Sequence, residues 1–127
     1  MEVQELIQQN IEEQVAVFAA LADPTRLRLV KLLCHQHAPD ALCVNALAGL
    51  LRVTQSAVSQ HLRVLKSIGL VKGERRGYHI HYLINPEVLE RCRDLASASL
   101  TIKKPGEEQA TCESHCPIRR DQNVSYK

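Results

Sequence analysis

Apolar residues recur at helical spacing over most of this chain. In residues 2–22 they follow at steps of three and four, with Glu and Gln between them, which predicts one long amphipathic helix. Asp23 and Pro24 then mark a new helix start, because Asp is a good N-cap residue and Pro fits the first helical position. Residues 25–34 form this second predicted helix, and we expect Cys34 at its end to lie in the core.

The middle of the chain alternates short helices with short strands. Asn45 and Thr54 are good N-cap residues in front of two apolar-periodic segments, and Gly69 suits the end of the second one. Arg76 and Gly77 separate two segments of strand-like alternation, which predicts a hairpin with a half-buried second strand. The predicted elements are a strand at 41–44, helices at 45–51 and 54–67, strands at 70–75 and 78–83, and a helix at 86–102.

The helix at 54–67 is the most informative segment. Val58, Leu62 and Leu65 share one face and are expected to pack inward. The outward face contains no acidic residue. A helix in the major groove needs such a face, because carboxylates near phosphate are unfavourable and short polar groups must reach the base edges. The helix before it is short and the turn is tight, as in a helix-turn-helix. The predicted DNA contacts on the helix are Thr54, Gln55, Ser56, Ser59, Gln60, His61, Arg63 and Lys66.

Charge is unevenly distributed along the chain. The formal net charge is only +2, but residues 52–83 hold six Lys or Arg and a single Glu, whereas residues 1–23 hold five acids and no Lys or Arg. A local basic patch is what binds phosphate. The hairpin contributes Lys72, Arg75 and Arg76, and the last two are expected at its tip, where they could reach the DNA backbone or minor groove.

Composition excludes several other classes of protein. At 45% hydrophobic and 24% charged residues, the 127-residue chain is ordinary for a globular domain. No apolar run approaches the length needed to span a bilayer, and the acidic N-terminus is unlike a signal peptide, so we expect no membrane association and a cytoplasmic location. No Gly-rich phosphate loop, nucleophile elbow or evident carboxylate pair is present, so we expect no enzymatic activity.

These segments resemble the arsenical-resistance-repressor (ArsR/SmtB) family. The resemblance is carried by Asp23-Pro24-Thr25-Arg26, by LCVNALAGLLRVTQSAVSQHLRVLKSIGLV and by GERRGYHIHYLI, and it covers roughly residues 15–100. It implies a homodimeric winged helix-turn-helix repressor that releases its operator when an effector binds, with the first and last long helices at the dimer interface. The wide apolar stripe of residues 3–21 agrees with a dimer.

The effector is harder to infer. Many relatives bind a metal through a Cys-Val-Cys pair, but this chain has Cys43-Val44-Asn45, and Asn is a poor ligand for a soft metal. A second family site uses Asp and His on the last helix, which here contains no His. The remaining candidate is the tail motif Cys112-Glu113-Ser114-His115-Cys116, with Cys92 or Cys43 completing a site. The candidate ions are thiophilic, namely As(III), Sb(III), Cd(II), Zn(II) or Cu(I).

The sequence therefore predicts a mainly α protein with a small β-hairpin, a winged helix-turn-helix of about five helices and a two- or three-stranded wing. We expect a DNA-binding and dimerisation domain at 1–102, with its helix-turn-helix core at 41–84, and a flexible tail at 103–127. Its partners are double-stranded operator DNA and a second copy of itself. Three alternatives stay open: a winged-helix module that binds protein, a DNA-binding regulator without a metal or thiol effector, and sensing by thiol oxidation or persulfidation.

Overall fold

The computed structural model describes residues 3–107 and 111–112. One compact unit spans Asn10–Thr101 and contains five α-helices and three strands. The described part of a second unit contains α1 (Val3–Gln8) and the residues after Thr101. Within the described chain, no helix is both long and apolar enough to cross a membrane. The five helices and the small sheet of the larger unit confirm the predicted winged helix-turn-helix class.

The single helix predicted at 2–22 is wrong. Asn10 adopts a left-handed conformation with φ 62°, so the chain leaves the helix after α1 and restarts as α2 (Ile11–Leu21). Asn tolerates this region better than most residues, and its backbone oxygen accepts the first hydrogen bond of α2 from Gln14, at 2.9 Å. The apolar period continues across the break, which is why the sequence pattern does not reveal it.

The next helix, α3 (Pro24–Cys34), begins as predicted. Asp23 Oδ1 accepts hydrogen bonds from the backbone N–H groups of Thr25 and Arg26 at 2.9 and 3.0 Å, and Pro24 occupies the first helical position. Cys34 is exposed at the end of the helix, so its predicted place in the core is wrong. A short 3₁₀ turn, Ala38–Asp40, lies between α3 and β1 (Leu42–Cys43).

The helix-turn-helix consists of α4 (Val44–Leu51) and α5 (Gln55–Ser67). Asn45 lies inside α4, so its predicted capping role is wrong: Cys43 occupies the cap position and makes no side-chain hydrogen bond there. The turn is made by Arg52 in a left-handed conformation, with φ 57°. Thr54 then caps α5 as predicted, because its Oγ1 accepts a hydrogen bond from Ala57 N–H at 3.1 Å.

The strands β2 (Val71–Arg76) and β3 (His79–Ile84) form a hairpin, which we call the wing, and β1 pairs with the other edge of β3. All pairs are antiparallel. The predicted half-buried face of the second strand is confirmed only at Tyr82, which is buried, whereas Ile80 is exposed and Tyr78 lies in the turn. Gly73 faces Tyr82, and a Cβ there would lie 2.8 Å from Ile80 Cγ2, so this position favours glycine.

The last helix, α6 (Pro86–Ser99), ends three residues before the predicted boundary. Asn85 Oδ1 accepts hydrogen bonds from the N–H groups of Glu87 and Val88 at its start. The helix packs against α2, where the buried Gln14 Nε2 donates to the Leu95 carbonyl at 3.3 Å. The core of the unit is shared by all five helices and the sheet, and its most completely buried side chains are Leu29, Leu33, Leu47, Leu62, Leu65, Leu70 and Val58.

Candidate nucleic-acid interface

The outward face of α5 is polar, exposed and free of acidic side chains. The helix is fixed from beneath by Val58, Leu62 and Leu65, which are 0%, 1% and 0% exposed. Because these three residues lock the rotation of the helix, the opposite face is presented to solvent in a defined orientation. The predicted contact residues that the structure places on this exposed face are Gln55, Ser56, Ser59, Gln60, Arg63 and Lys66. Thr54 is also exposed, at the N-terminus of the helix.

His61 is the predicted contact residue that lies apart from this row. It is only partly exposed and sits at the edge of the buried stripe, against the start of α3. Its Nδ1 lies 3.2 Å from Arg26 Nη1, and its Nε2 lies 3.9 Å from Asp23 Oδ1. The side chain thus joins two helices of the same chain, and this placement depends on a residue 35 positions away that the local sequence does not reveal.

Asp23 is the acidic group nearest to α5 in this cluster. The Arg26 N–H that donates to its carboxylate lowers the pKa of Asp23, desolvation opposes this effect, and the nearby His61, the Thr25 N–H and the Arg26 charge lower it further. The carboxylate therefore stays ionised at neutral pH. It is occupied as a helix cap on α3 and does not belong to the exposed face of α5.

The wing presents a different tip from the predicted one. Lys72 and Arg75 are exposed, but Arg76 is turned back: its Nη1 donates to the Pro39 carbonyl and its Nη2 to Glu74, both at 3.3 Å. Both arginines therefore lie next to the turn, but only Arg75 is fully exposed. The turn itself is formed by Gly77, with φ 65°, and Tyr78, because β2 extends one residue further, to Arg76, than the pattern suggests.

Tyr78 is a candidate contact residue that sequence reasoning missed. It is 98% exposed at the tip of the wing. Its aromatic ring and hydroxyl could pack on a sugar and donate to a phosphate, as polar side chains do in DNA complexes. The alternation with Ile80 and Tyr82 suggests a strand residue, and the signal that could correct this is the glycine immediately before it, which favours a turn.

A shallow depression lies between α5 and the wing. Its volume is about 240 Å³, and it is lined by Ser59, Leu62, Arg63, Lys66 and Tyr82. The ammonium of Lys66 lies 6.0 Å from the centre of the Tyr82 ring, so the lysine stem follows the surface of the sheet. Arg63 and Lys66 of α5 therefore lie beside Tyr82 of the wing.

Three of the predicted sensing residues lie within the described chain. Cys43 is half-buried in β1 opposite His81, Cys92 is buried in α6, and Cys112 is exposed outside the larger unit. His115 and Cys116 lie outside the described residues. Across residues 3–107 and 111–112, no group of three His, Cys, Asp or Glu side chains is arranged to hold a metal ion.

Two of the cysteines adjoin small pockets. Cys92 lines a largely apolar pocket of about 260 Å³ between α2, α6 and the end of α5. Cys34, although exposed as a residue, contributes to a pocket of about 340 Å³ near the start of α6. Partial desolvation raises the pKa of both thiols, which lowers the fraction of reactive thiolate.

Fold and surface together define a winged helix-turn-helix protein with an exposed, acid-free α5 face. The sequence profile described as "Bacterial regulatory protein, arsR family" matches residues 23–72. A protein described as a possible transcriptional regulator for arsenical resistance is similar in structure, with a TM-score of 0.60 and 36% identity over 68% of this chain and 85% of that one. The chain belongs to the arsR family of bacterial regulatory proteins.

The chain is also similar to a curated repressor homolog and to a further solved structure. The chain is 42% identical, over 67% of its length, to a homolog of the transcriptional repressor SmtB from Synechocystis sp., and it spans 62% of the length of that relative. A homodimeric winged helix-turn-helix DNA-binding domain from Mycobacterium bovis, studied in solution, has a TM-score of 0.55 and 27% identity over 78% of this chain and 87% of that one.

Proposed function

We propose that the chain is a DNA-binding transcriptional repressor that acts as a homodimer in the cytoplasm, with no catalytic step. The observation that carries the proposal is the exposed, acid-free face of α5, held in a fixed orientation by its buried stripe. A solvent-facing helix with no interaction partner normally mixes acids with bases. The family and its regulators of transcription support the same conclusion.

Each part of the surface has a proposed role. Five exposed side chains of α5 would contact base edges in the major groove, where Arg favours guanine and Gln favours adenine. They are Gln55, Ser56, Ser59, Gln60 and Arg63. Phosphates would be bound by Thr54 at the start of α5, by Lys66 near its end, and by Lys72 and Arg75 on the wing. Arg76 would instead hold the wing against the 3₁₀ turn, through the Pro39 carbonyl.

Dimerisation is supported by the outer face of α2. Ile11, Val15 and Phe18 are exposed by 41%, 58% and 40%, although all three are large and apolar. A row of exposed apolar residues on one helix is typical of an interface between chains. The homodimeric relative from Mycobacterium bovis supports a two-fold arrangement, which would place two α5 helices in successive major grooves.

The sharpest test of the exposed face of α5 is Arg63→Ala, measured as binding of the dimer to DNA from its own promoter. Loss of one side chain that contacts a base pair costs about 1–3 kcal/mol and relaxes specificity at that position. Lys31→Ala is a matched control, because Lys31 is an exposed cation in the last turn of α3. Unchanged affinity with Arg63→Ala would contradict the assignment, and equal affinity of the wild type for promoter and unrelated DNA would favour the protein-interaction alternative.

For the effector, we propose release of the operator by a thiophilic metal or metalloid, or by thiol modification, through Cys112, His115 and Cys116 with Cys92 or Cys43. The support is the chemistry of these side chains and the arsenical-resistance description of a relative. Release should be measured with As(III), Sb(III), Cd(II), Zn(II), Cu(I), peroxide and polysulfide, for the full chain and for a chain ending at Lys104. Identical responses of the two chains would exclude Cys112 and Cys116 as sensors.

A further inference from the structure

Arg26 connects the last turn of α2 to the first turn of α3. Its Nε donates to the Ala20 carbonyl at 2.7 Å and its Nη2 to the Ala19 carbonyl at 3.4 Å. The last carbonyls of a helix have no partner within the helix, so a cation placed there satisfies them and is favoured by the helix dipole. Meanwhile the backbone N–H of Arg26 donates to the Asp23 cap at 3.0 Å.

The same guanidinium reaches α5. Arg26 Nη1 lies 3.2 Å from His61 Nδ1, near the middle of α5. A guanidinium has donors and no acceptor, so in this contact Arg26 is the donor and Nδ1 of the imidazole is the acceptor. The other ring nitrogen, Nε2, lies 3.9 Å from the Asp23 carboxylate. Hydrogen bonds from one side chain thus join three helices.

We propose that Arg26 is a positioning residue for DNA binding, which sets the place of α5 relative to α2 through His61. The inference rests on the proposed function, in which α2 faces the partner chain and α5 enters the groove. A dimer that reads two half-sites needs a fixed spacing between its two recognition helices. Arg26 links α2 directly to α5. Its guanidinium forms hydrogen bonds with the Ala19 and Ala20 carbonyls of α2 and with His61 of α5. His61 then acts inside the chain and makes no base contact.

The test compares Arg26→Gln, His61→Leu and His61→Asn in operator affinity measured over a series of salt concentrations. Arg26→Gln and His61→Leu should each weaken binding by about tenfold, as expected for members of one hydrogen-bonded network. His61→Asn should stay close to the wild type, because its amide oxygen can accept the Arg26 hydrogen bond. The double variant Arg26→Gln/His61→Leu should be no weaker than either single variant.

The salt dependence separates positioning from phosphate contact. Neither Arg26→Gln nor His61→Leu should change the slope of log affinity against log salt, whereas Lys66→Ala should reduce it by about 0.9, because one phosphate is then no longer neutralised. A lower slope with Arg26→Gln, or additive losses in the double variant, would overturn the positioning role. Weakened binding by Arg63→Ala together with normal binding by Arg26→Gln and His61→Leu would overturn this inference alone and leave the proposed function intact.

A second measurement needs no DNA. The ¹⁵N chemical shifts of the His61 ring should show the tautomer with an unprotonated Nδ1 in the wild-type protein, and this preference should weaken in Arg26→Gln. A protonated Nδ1 in the wild-type protein would mean that Arg26 does not donate to His61. That result would overturn the proposal, whatever the operator measurements give. Because His61→Leu leaves Arg26 in place, the proposal stays testable even if Arg26→Gln fails to fold.

Discussion

The helices α5 and α2 both carry an apolar stripe, but they use it in different ways. The stripe of α5 is completely buried in the chain, and its polar face is exposed. The helix α2 buries Gln14, Val17 and Ala20 against the chain and exposes larger apolar residues. The difference indicates two kinds of partner: a polar, acid-free face suits DNA, and an exposed apolar face suits a second protein chain.

The largest expected effect concerns the buried stripe. Leu65→Ala should lower the free energy of unfolding by about 3 kcal/mol, because it removes a fully buried side chain and leaves a cavity. The neighbouring Val64→Ala should cost less than about 1 kcal/mol, since Val64 is 36% exposed. Urea denaturation at a fixed protein concentration measures both. Equal losses would mean that α5 is not anchored by one face.

A substitution in the exposed apolar stripe of α2 should affect dimerisation instead of folding. Phe18→Glu places a charge in the proposed interface and should weaken dimerisation by about 2 kcal/mol or more, as for a residue near the centre of an interface. Sedimentation equilibrium measures the change. Leu50→Glu is the matched control, because Leu50 is exposed by 60% on α4, outside the proposed interface. If Phe18→Glu leaves dimerisation unchanged, this face of α2 binds a partner other than the second chain.

The starts of the two helices provide the smallest contrast. Thr54→Ala removes the hydrogen bond to Ala57 and should cost about 1 kcal/mol of folding free energy. Asn10 makes no side-chain cap on α2 and has a left-handed backbone that glycine also accepts, so Asn10→Gly should change stability by less than about 0.5 kcal/mol. Thermal unfolding compares the two, and a larger loss for Asn10→Gly would reverse this interpretation.

The same two helices show what the sequence alone could predict. The features that define α5 are local: a capping Thr54, a period of buried leucines and Gly69 after the helix end. The break before α2 depends on the backbone conformation of a single residue, Asn10, and leaves the apolar period unchanged. Periodicity identifies which positions are apolar, but it does not identify the surface that covers them.

The differences between the expected and the observed placement of individual residues have one physical cause. The sequence predictions for Arg76, His61 and Cys34 rest on their neighbours along the chain, but the placement of these residues depends on the tertiary fold. Arg76 reaches the Pro39 carbonyl, 37 positions away, and His61 meets Arg26, 35 positions away. Long polar side chains can satisfy their hydrogen bonds at distant partners, so a charged residue in a basic segment need not face the nucleic acid.

The most direct test of the central claim is a hydroxyl-radical footprint of the protein on DNA from its own promoter. A dimer that inserts two α5 helices into successive major grooves should protect two patches whose centres lie about 10 base pairs, one helical turn, apart, and Arg63→Ala should weaken both patches equally. A single protected patch, or no protection where the wild-type protein is bound, would contradict paired recognition helices.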